Sequence, residues 1–315
     1  MSRPVQGINV QCQQGVALII AILAVTLASI AAVAMTSRQQ VDIRRTVNVL
    51  NMEQADMYVN GGESWAARVL SEDLKKNKTD SRNDDWARVL PPIPVEGGQI
   101  SGFMQDQQAR FNLNSLILSA NRALARQRYE RLLDQLGLSK ALADTLVDWL
   151  DADSNVTLPD GAEDSEYLGR TDLLYRTANR PLMHVSELLL IKGYDRAAYE
   201  KLQPFISAIN ADTAINVNTA AKEVLLSLAK DLSDSDVEPL LKEQEKGGFD
   251  NISDFVSHSA FAGKGLSQEG LTLSSRYFLL TSNVAIGRAH QEVESLLYRE
   301  NNGQVIVRLR RPVEH

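Results

Sequence analysis

No charged side chain occurs between Val16 and Ser37, and Arg38 ends the run. At ~1.5 Å of rise per residue, roughly 20 helical residues cover the ~30 Å hydrocarbon core of a bilayer, so the run predicts one membrane span over residues 16–37. An ordinary secretory signal has a basic leader, an apolar core of about 7–15 residues and small residues at a cleavage site beyond that core. Here the order is inverted: a polar leader, residues 1–15, ends in Gly15 directly before the apolar run. A cut between Gly15 and Val16 leaves the hydrophobic helix on the mature protein.

Gln14-Gly15 followed at once by Val16-Ala17-Leu18-Ile19-Ile20 resembles the class III signal of prepilins and pseudopilins. The resemblance implies a prepilin peptidase that cuts after Gly15 on the cytoplasmic face and methylates the new amino terminus at Val16. Pilin-like families usually carry glutamate at the fifth mature position, where this chain has Ile20. An uncleaved signal anchor is the plainer reading of the same residues.

The chain of 315 residues is long enough for two domains, and its apolar and charged fractions are those of a globular protein once the span is set aside. Arg3 is the leader's only charge, so the mature chain has 32 basic against 40 acidic residues, a net of −8. Such a surface repels nucleic acid and anionic lipid. The single cysteine, Cys12, lies in the leader and leaves the mature chain without disulfide or thiol chemistry, so another staple such as a metal is called for. Flanking charge opposes export of the large domain, because Arg3 stands alone before the span while Arg38, Arg44 and Arg45 follow it. Long domains translocate largely regardless of flanking charge, and the Gly15 signal requires a cytoplasmic leader, so the domain is placed in the periplasm.

Beyond the span, helix formers continue to about Lys76, with Val41, Val47, Leu50, Tyr58, Trp65 and Val69 as the apolar stripe of one long helix. Pro91-Pro92-Ile93-Pro94 excludes helix and predicts a turn. Short alternation over Ile100–Gln105 and Arg110–Leu113 predicts strands, as do residues 277–285, 291–298 and 305–309. Asn302-Gly303 predicts a type I′ hairpin, which needs positive φ at both residues. Between the two groups of strands the sequence is helical, with stops at Gly137, Gly193 and Pro204. The fold class is α+β: a long amino-terminal helix and a small antiparallel sheet contributed by residues 38–113 and 276–315, with an all-helical domain, 114–275, inserted between strands.

Phe111-Asn112-Leu113-Asn114, Asp148-Trp149-Leu150-Asp151, Gly161-Ala162-Glu163-Asp164 and Asn216-Val217-Asn218-Thr219-Ala220, with the Gly15-Val16 signal, resemble the K-type minor pseudopilins of type II secretion, the GspK family. The likeness spans nearly the whole chain in the family's order. It implies a pilin-like α/β domain with a large helical insertion, held by the inner membrane and placed at the tip of a periplasmic pseudopilus. The implied partners are the I- and J-type minor pseudopilins, which it would join in initiating assembly, and the major pseudopilin.

Asp151, Asp153 and Asn155 alternate after a helix, and Asp160, Glu163 and Asp164 follow in the same loop. Carboxylates this dense repel one another unless water or a cation intervenes, and hard oxygen ligands suit calcium. The opening matches an EF-hand loop but fails at its sixth and twelfth positions, Val156 and Ala162, where glycine and glutamate are required. A solvated acidic loop is the plain alternative; the family resemblance implies calcium in the helical insertion.

Residues 215–249 resemble a helix-hairpin-helix module, which would make the chain a membrane-anchored DNA-uptake protein. Its hairpin, Lys230–Asp236, has no glycine and three aspartates, which repel phosphate, so a packing role without nucleic acid is the reading. His184, His258, His290 and His315 share no metal or triad spacing, and Gly263-Lys264-Gly265 is no phosphate loop. No nucleophile has a base nearby, which disfavours a calcium-dependent hydrolase or any other enzyme.

Overall fold

The computed structural model describes residues 13–169 and 174–313. The leader through Cys12, with Arg3, and His315 lie outside the described residues. Helix α1, Gln13–Lys76, runs unbroken for 64 residues, roughly 95 Å at ~1.5 Å per residue. Strands β1 (Leu90–Val95) and β2 (Gly98–Asp106) follow as a hairpin, and β7 (Tyr277–Ile286), β8 (Ala289–Arg299) and β9 (Val305–Pro312) return from the far end of the chain. They form one antiparallel sheet in the order β1-β2-β7-β8-β9.

Alternation explains the sheet. Val293, Ser295, Leu297 and Arg299 of β8 are buried at every second position, the face that α1 covers. The buried stripe of α1 is Ala55, Val59, Glu63, Ala66, Leu70 and Asp73, at three- and four-residue spacing. Ala55 and Val59 pack with Val284, Ile286 and Val293, while Ala66 and Leu70 pack with Phe278, Leu280 and Leu297. This corrects the expected stripe: Val41, Val47, Leu50 and Trp65 are exposed. Two of the six buried positions are acids, which shift the apparent apolar face around the helix.

Two further corrections concern strands. The proline stretch is not a turn but the edge strand β1, whose register slips between Leu90 and Ile93, as an edge tolerates when proline cannot donate. Phe111–Asn112, labelled β3, leaves the main sheet and pairs in parallel with β4, Ile206–Ser207. The β8-β9 hairpin is real but its turn is not type I′. Gly303 has φ +86° and Asn302 has no positive φ; Gly303 N–H donates to Glu300 C=O at 2.9 Å, a wider loop with glycine at the left-handed position.

Between β2 and β7 lie helices α2 (Ser115–Leu118), α3 (Arg122–Gln135), α4 (Leu142–Leu150), α5 (Asp164–Leu168), α6 (Arg196–Leu202), α7 (Lys222–Ser227), α8 (Asp234–Glu245) and α9 (Ile252–Val256). They enclose the largest apolar cluster, around Tyr129, Leu132, Leu146, Trp149, Tyr167 and Phe255. Two asparagine pairs fix its ends. Asn112 and Asn114 clamp Ile209 and Leu182 through their backbone groups, and Asn218 does the same for Phe249, accepting from its N–H at 2.8 Å and donating to its C=O at 3.0 Å. A second two-residue pairing, β5 (Ile215–Asn216) with β6 (Leu271–Thr272), repeats the parallel geometry of β3-β4. Each asparagine pair thus follows a short parallel strand, so the insertion consists of two similarly opened helical units.

The insertion sits beyond the carboxyl end of α1. Arg82, in the loop leaving α1, donates to the carbonyls of Thr219 and Ala220, Asn83 donates to that of Glu245, and Asn216 donates to that of Asp80.

Candidate functional site

Among the described residues, the first half of α1 packs against no other element. From Gly15 to Leu50 every side chain is exposed, including Val16 and Ile20 in the opening turns. Among the described residues this is the one helix long and apolar enough to cross a bilayer. Its hydroxyls are turned inward: Thr26 donates to Leu23 C=O at 2.8 Å, Ser29 to Val25 C=O at 2.8 Å and Thr36 to Ala32 C=O at 2.9 Å. Each polar group is thereby satisfied within the helix, as a lipid environment requires.

The acidic loop begins where α4 stops. Asp148 is fully buried and accepts from Thr157 N–H at 3.0 Å, folding residues 151–157 back over the helix end. Gly161 completes that fold, since a Cβ there would lie 2.2 Å from Asp148 Oδ2 and 2.4 Å from Thr157 O. The result brings Asp151, Asp153 and Glu163 together, with one carboxylate oxygen of each within 4.8 Å of the others. An ion about 2.4 Å from each ligand needs oxygens no farther apart than that.

The remaining candidates are held elsewhere. Asp164 accepts from Thr177 N–H and Oγ1 and pairs with Arg176 at 3.4 Å. Asp160 directs its N–H to Asp144 and is not in the carboxylate group. Asn155 donates its backbone N–H to Asp153 Oδ1 at 2.8 Å. Sequence reading missed Asn179, which enters from a later loop with φ +45°, donates to Asp153 C=O at 3.4 Å and keeps its own Oδ1 buried without a partner.

The electrostatics favour a cation. Burial raises the Asp151 carboxyl to about 6, helped by Asp153 and Asp148, and raises Glu163 to about 6, helped by Asp148 and Asp151. Asp151 Oδ1 and Glu163 Oε1 are buried and accept no hydrogen bond. Among the described residues no basic side chain lies within ion-pair distance of Asp151, Asp153 or Glu163. The donor set therefore fits a hard divalent ion. A second group, Asp73, Asp80 and Asp84, is as close-knit but already holds its counter-charge in Arg299.

The predicted hairpin between α7 and α8 turns through Asp231, at φ +55°, in the left-handed conformation that glycine would otherwise supply. Asp236 caps Ser233 N–H at 2.8 Å and pairs with Lys264, so the acids of this turn are engaged structurally.

An apolar helix continuing across an antiparallel sheet, with a helical insertion beyond its end, defines a pilin-like protein whose amino-terminal helix fits a single-pass anchor. Comparison with known proteins narrows this. Two family descriptions of type II secretion system protein K match residues 109–211 and 215–274. The type II secretion system protein K of Pseudomonas aeruginosa is 35% identical over 310 residues, covering 95% of this chain and 92% of that protein. That of Klebsiella pneumoniae is 31% identical, covering 95% and 96%. Among solved structures, a chain of the GspK-GspI-GspJ complex from enterotoxigenic Escherichia coli aligns with TM-score 0.77 at 29% identity, covering 86% of this chain and all of that one. The chain belongs to the type II secretion system protein K family, the K-type minor pseudopilins. This membership does not favour the DNA-uptake reading.

Proposed function

We propose that the protein caps the tip of the periplasmic pseudopilus, where with I- and J-type minor pseudopilins it initiates assembly onto which the major pseudopilin is added. The observation that carries this reading is the position of the helical insertion. It packs beyond the end of α1 through Arg82, Asn83 and Asn216, in the space that a subunit stacked above would need. The GspK-GspI-GspJ complex is a likeness in which such partners are present together.

Prepilin peptidase cleaves at Gly15-Val16 and methylates Val16, and α1 then holds the chain in the inner membrane with its folded part in the periplasm. Calcium occupies the loop through Asp151, Asp153 and Glu163 and fastens the end of α4 to the start of α5. The role is structural rather than catalytic, and no nucleic acid takes part. Amino-terminal sequencing of protein recovered from membranes tests the processing, which requires a start at Val16. Site-directed crosslinking from the insertion tests placement: contacts confined to one filament end support the tip, and contacts along the shaft overturn it.

A further inference from the structure

The face of the sheet opposite α1 meets the helical insertion across a cleft of about 550 Å³. Leu279, Leu296 and Leu309 form its apolar floor, and His184 and Tyr199 rise from the insertion as its wall. Such a volume exceeds that of a single small anion and suits several residues of extended peptide.

The polar groups in this cleft are mostly donors. Arg110 lines it and is half-buried, and burial pushes its guanidinium below its usual pKa against the weaker opposing pull of Glu294 and Asp106. Among the described residues its one hydrogen bond goes to Gln105 Oε1 at 3.4 Å, and no carboxylate stands within ion-pair distance of it. Glu294, the cleft's own carboxylate, is taken by Arg311. Asp106, the next acid along the strand, is occupied by Gln108, Asn216, Thr219 and Ser275. Gln107 also lines the cleft, is 7% exposed, and leaves its buried Nε2 without an acceptor. A buried donor left unpaired is destabilising, and a charged one more so.

The cleft also borders a free sheet edge. Among the described residues β9 pairs only with β8, and its Leu309 and Arg311 line the cavity. An extended segment laid there finds unpaired backbone groups on β9 and apolar contact on the floor.

We propose that the cleft binds an extended acidic peptide segment of a partner protein, one carboxylate of which sits on Arg110 and Gln107. Charge complementarity selects that occupant: the chain carries a net charge of −7, yet the lining of this recess holds two guanidiniums, Arg110 and Arg311, against one carboxylate, Glu294. The proposal is independent of placement at the tip, because it concerns a peptide binding to the isolated chain.

The test uses the full chain in detergent micelles and fluorescence anisotropy with a labelled octapeptide alternating Val and Glu. Its counterpart with Gln for Glu is the control, and succinate is the free-carboxylate competitor. The acidic peptide should bind at least about tenfold more tightly than the control, and Arg110→Met and Gln107→Leu should each lose most of that preference. Circular dichroism melting establishes that the variants are folded; Gln107→Leu serves if Arg110→Met is not. Equal binding of both peptides, or undiminished binding by a folded Arg110→Met protein, overturns the proposal. Binding of succinate alone, with no peptide preference, likewise overturns it in favour of a small-anion site.

Discussion

Arg299, the last residue of β8, donates from Nη2 to Oδ2 of Asp80 at 2.5 Å, tying the sheet to the loop that leaves α1. The same guanidinium reaches Asp73 of α1 at 3.3 Å and the carbonyl of Ser275 at 2.7 Å, and it lies over the Phe278 ring. All three ionisable groups are buried. Removing one member of a buried pair leaves the other uncompensated, which costs about 3–5 kcal/mol. Arg299→Met should therefore lower the unfolding free energy by an amount of that order, read as a lower urea midpoint, and loosen the junction between sheet and insertion. Equilibrium unfolding measures it, and a change below about 1 kcal/mol would show that the cluster is dispensable.

Asp73 gives the same cluster a pH signature. Burial, with Asp84 and Asp80 adding to it, raises its carboxyl from 3.8 to about 7. Between these values the folded chain holds a proton that the unfolded chain has released, so stability is greatest at the acid end and falls as pH rises toward 7. Asp73→Asn cannot ionise and should flatten that part of the profile while raising Tm above pH 7. Melting curves across this range decide the matter; an unchanged slope in the variant assigns the dependence to other groups.

These acids also mark where the sequence stopped being readable. The length of α1 follows from an uncharged run and unbroken helix formers, and β7 and β8 follow from their alternation. The buried face of α1 did not follow, because Glu63 and Asp73 occupy core positions that only Arg310 and Arg299, more than two hundred residues away, make tolerable. β1 was hidden by prolines that an edge strand accepts. In the acidic loop, spacing drew attention to a run of acids from which the fold brings Asp151, Asp153 and Glu163 together. It could not separate them from Asp160 and Asp164, which the fold turns to other partners, nor foresee Asn179 arriving from another loop.

The calcium site proposed in that loop has a measurable consequence. A ligand that binds only the folded state stabilises it by about 2.7 kcal/mol at one hundred times its Kd. Calcium should raise Tm of the unmutated protein, and replacing both Asp151 and Asp153 by Ala should abolish the rise while leaving the value in EDTA nearly unchanged. Because the Asp151 and Glu163 carboxyls both lie at about 6, protons compete with the ion below that pH, and the calcium-dependent rise should grow as pH increases through it. Differential scanning calorimetry with and without EDTA supplies the comparison. If calcium leaves the unmutated protein's Tm where it was, the loop is a solvated acidic turn.

The proposed placement at the filament tip makes a prediction at Ile20. With the proposed cleavage after Gly15 it is the fifth mature residue, and its side chain is 59% exposed on the apolar half of α1. Pilin-like subunits usually have glutamate here, which pairs with the amino terminus of the subunit ahead. A carboxylate among apolar helices or lipid costs several kcal/mol unless a positive partner meets it. A subunit with nothing ahead of it has no such partner, so an apolar residue removes the cost, while its own Val16 amine stays available to the glutamate of the subunit added below. Ile20→Glu should therefore weaken membrane retention or tip assembly while still permitting cleavage after Gly15, whereas Gly15→Ala should block cleavage and abolish secretion. Fractionation, amino-terminal sequencing and crosslinking read these outcomes separately. Ile20→Glu protein that assembles normally and also crosslinks along the shaft would show that this position does not restrict the subunit to the tip.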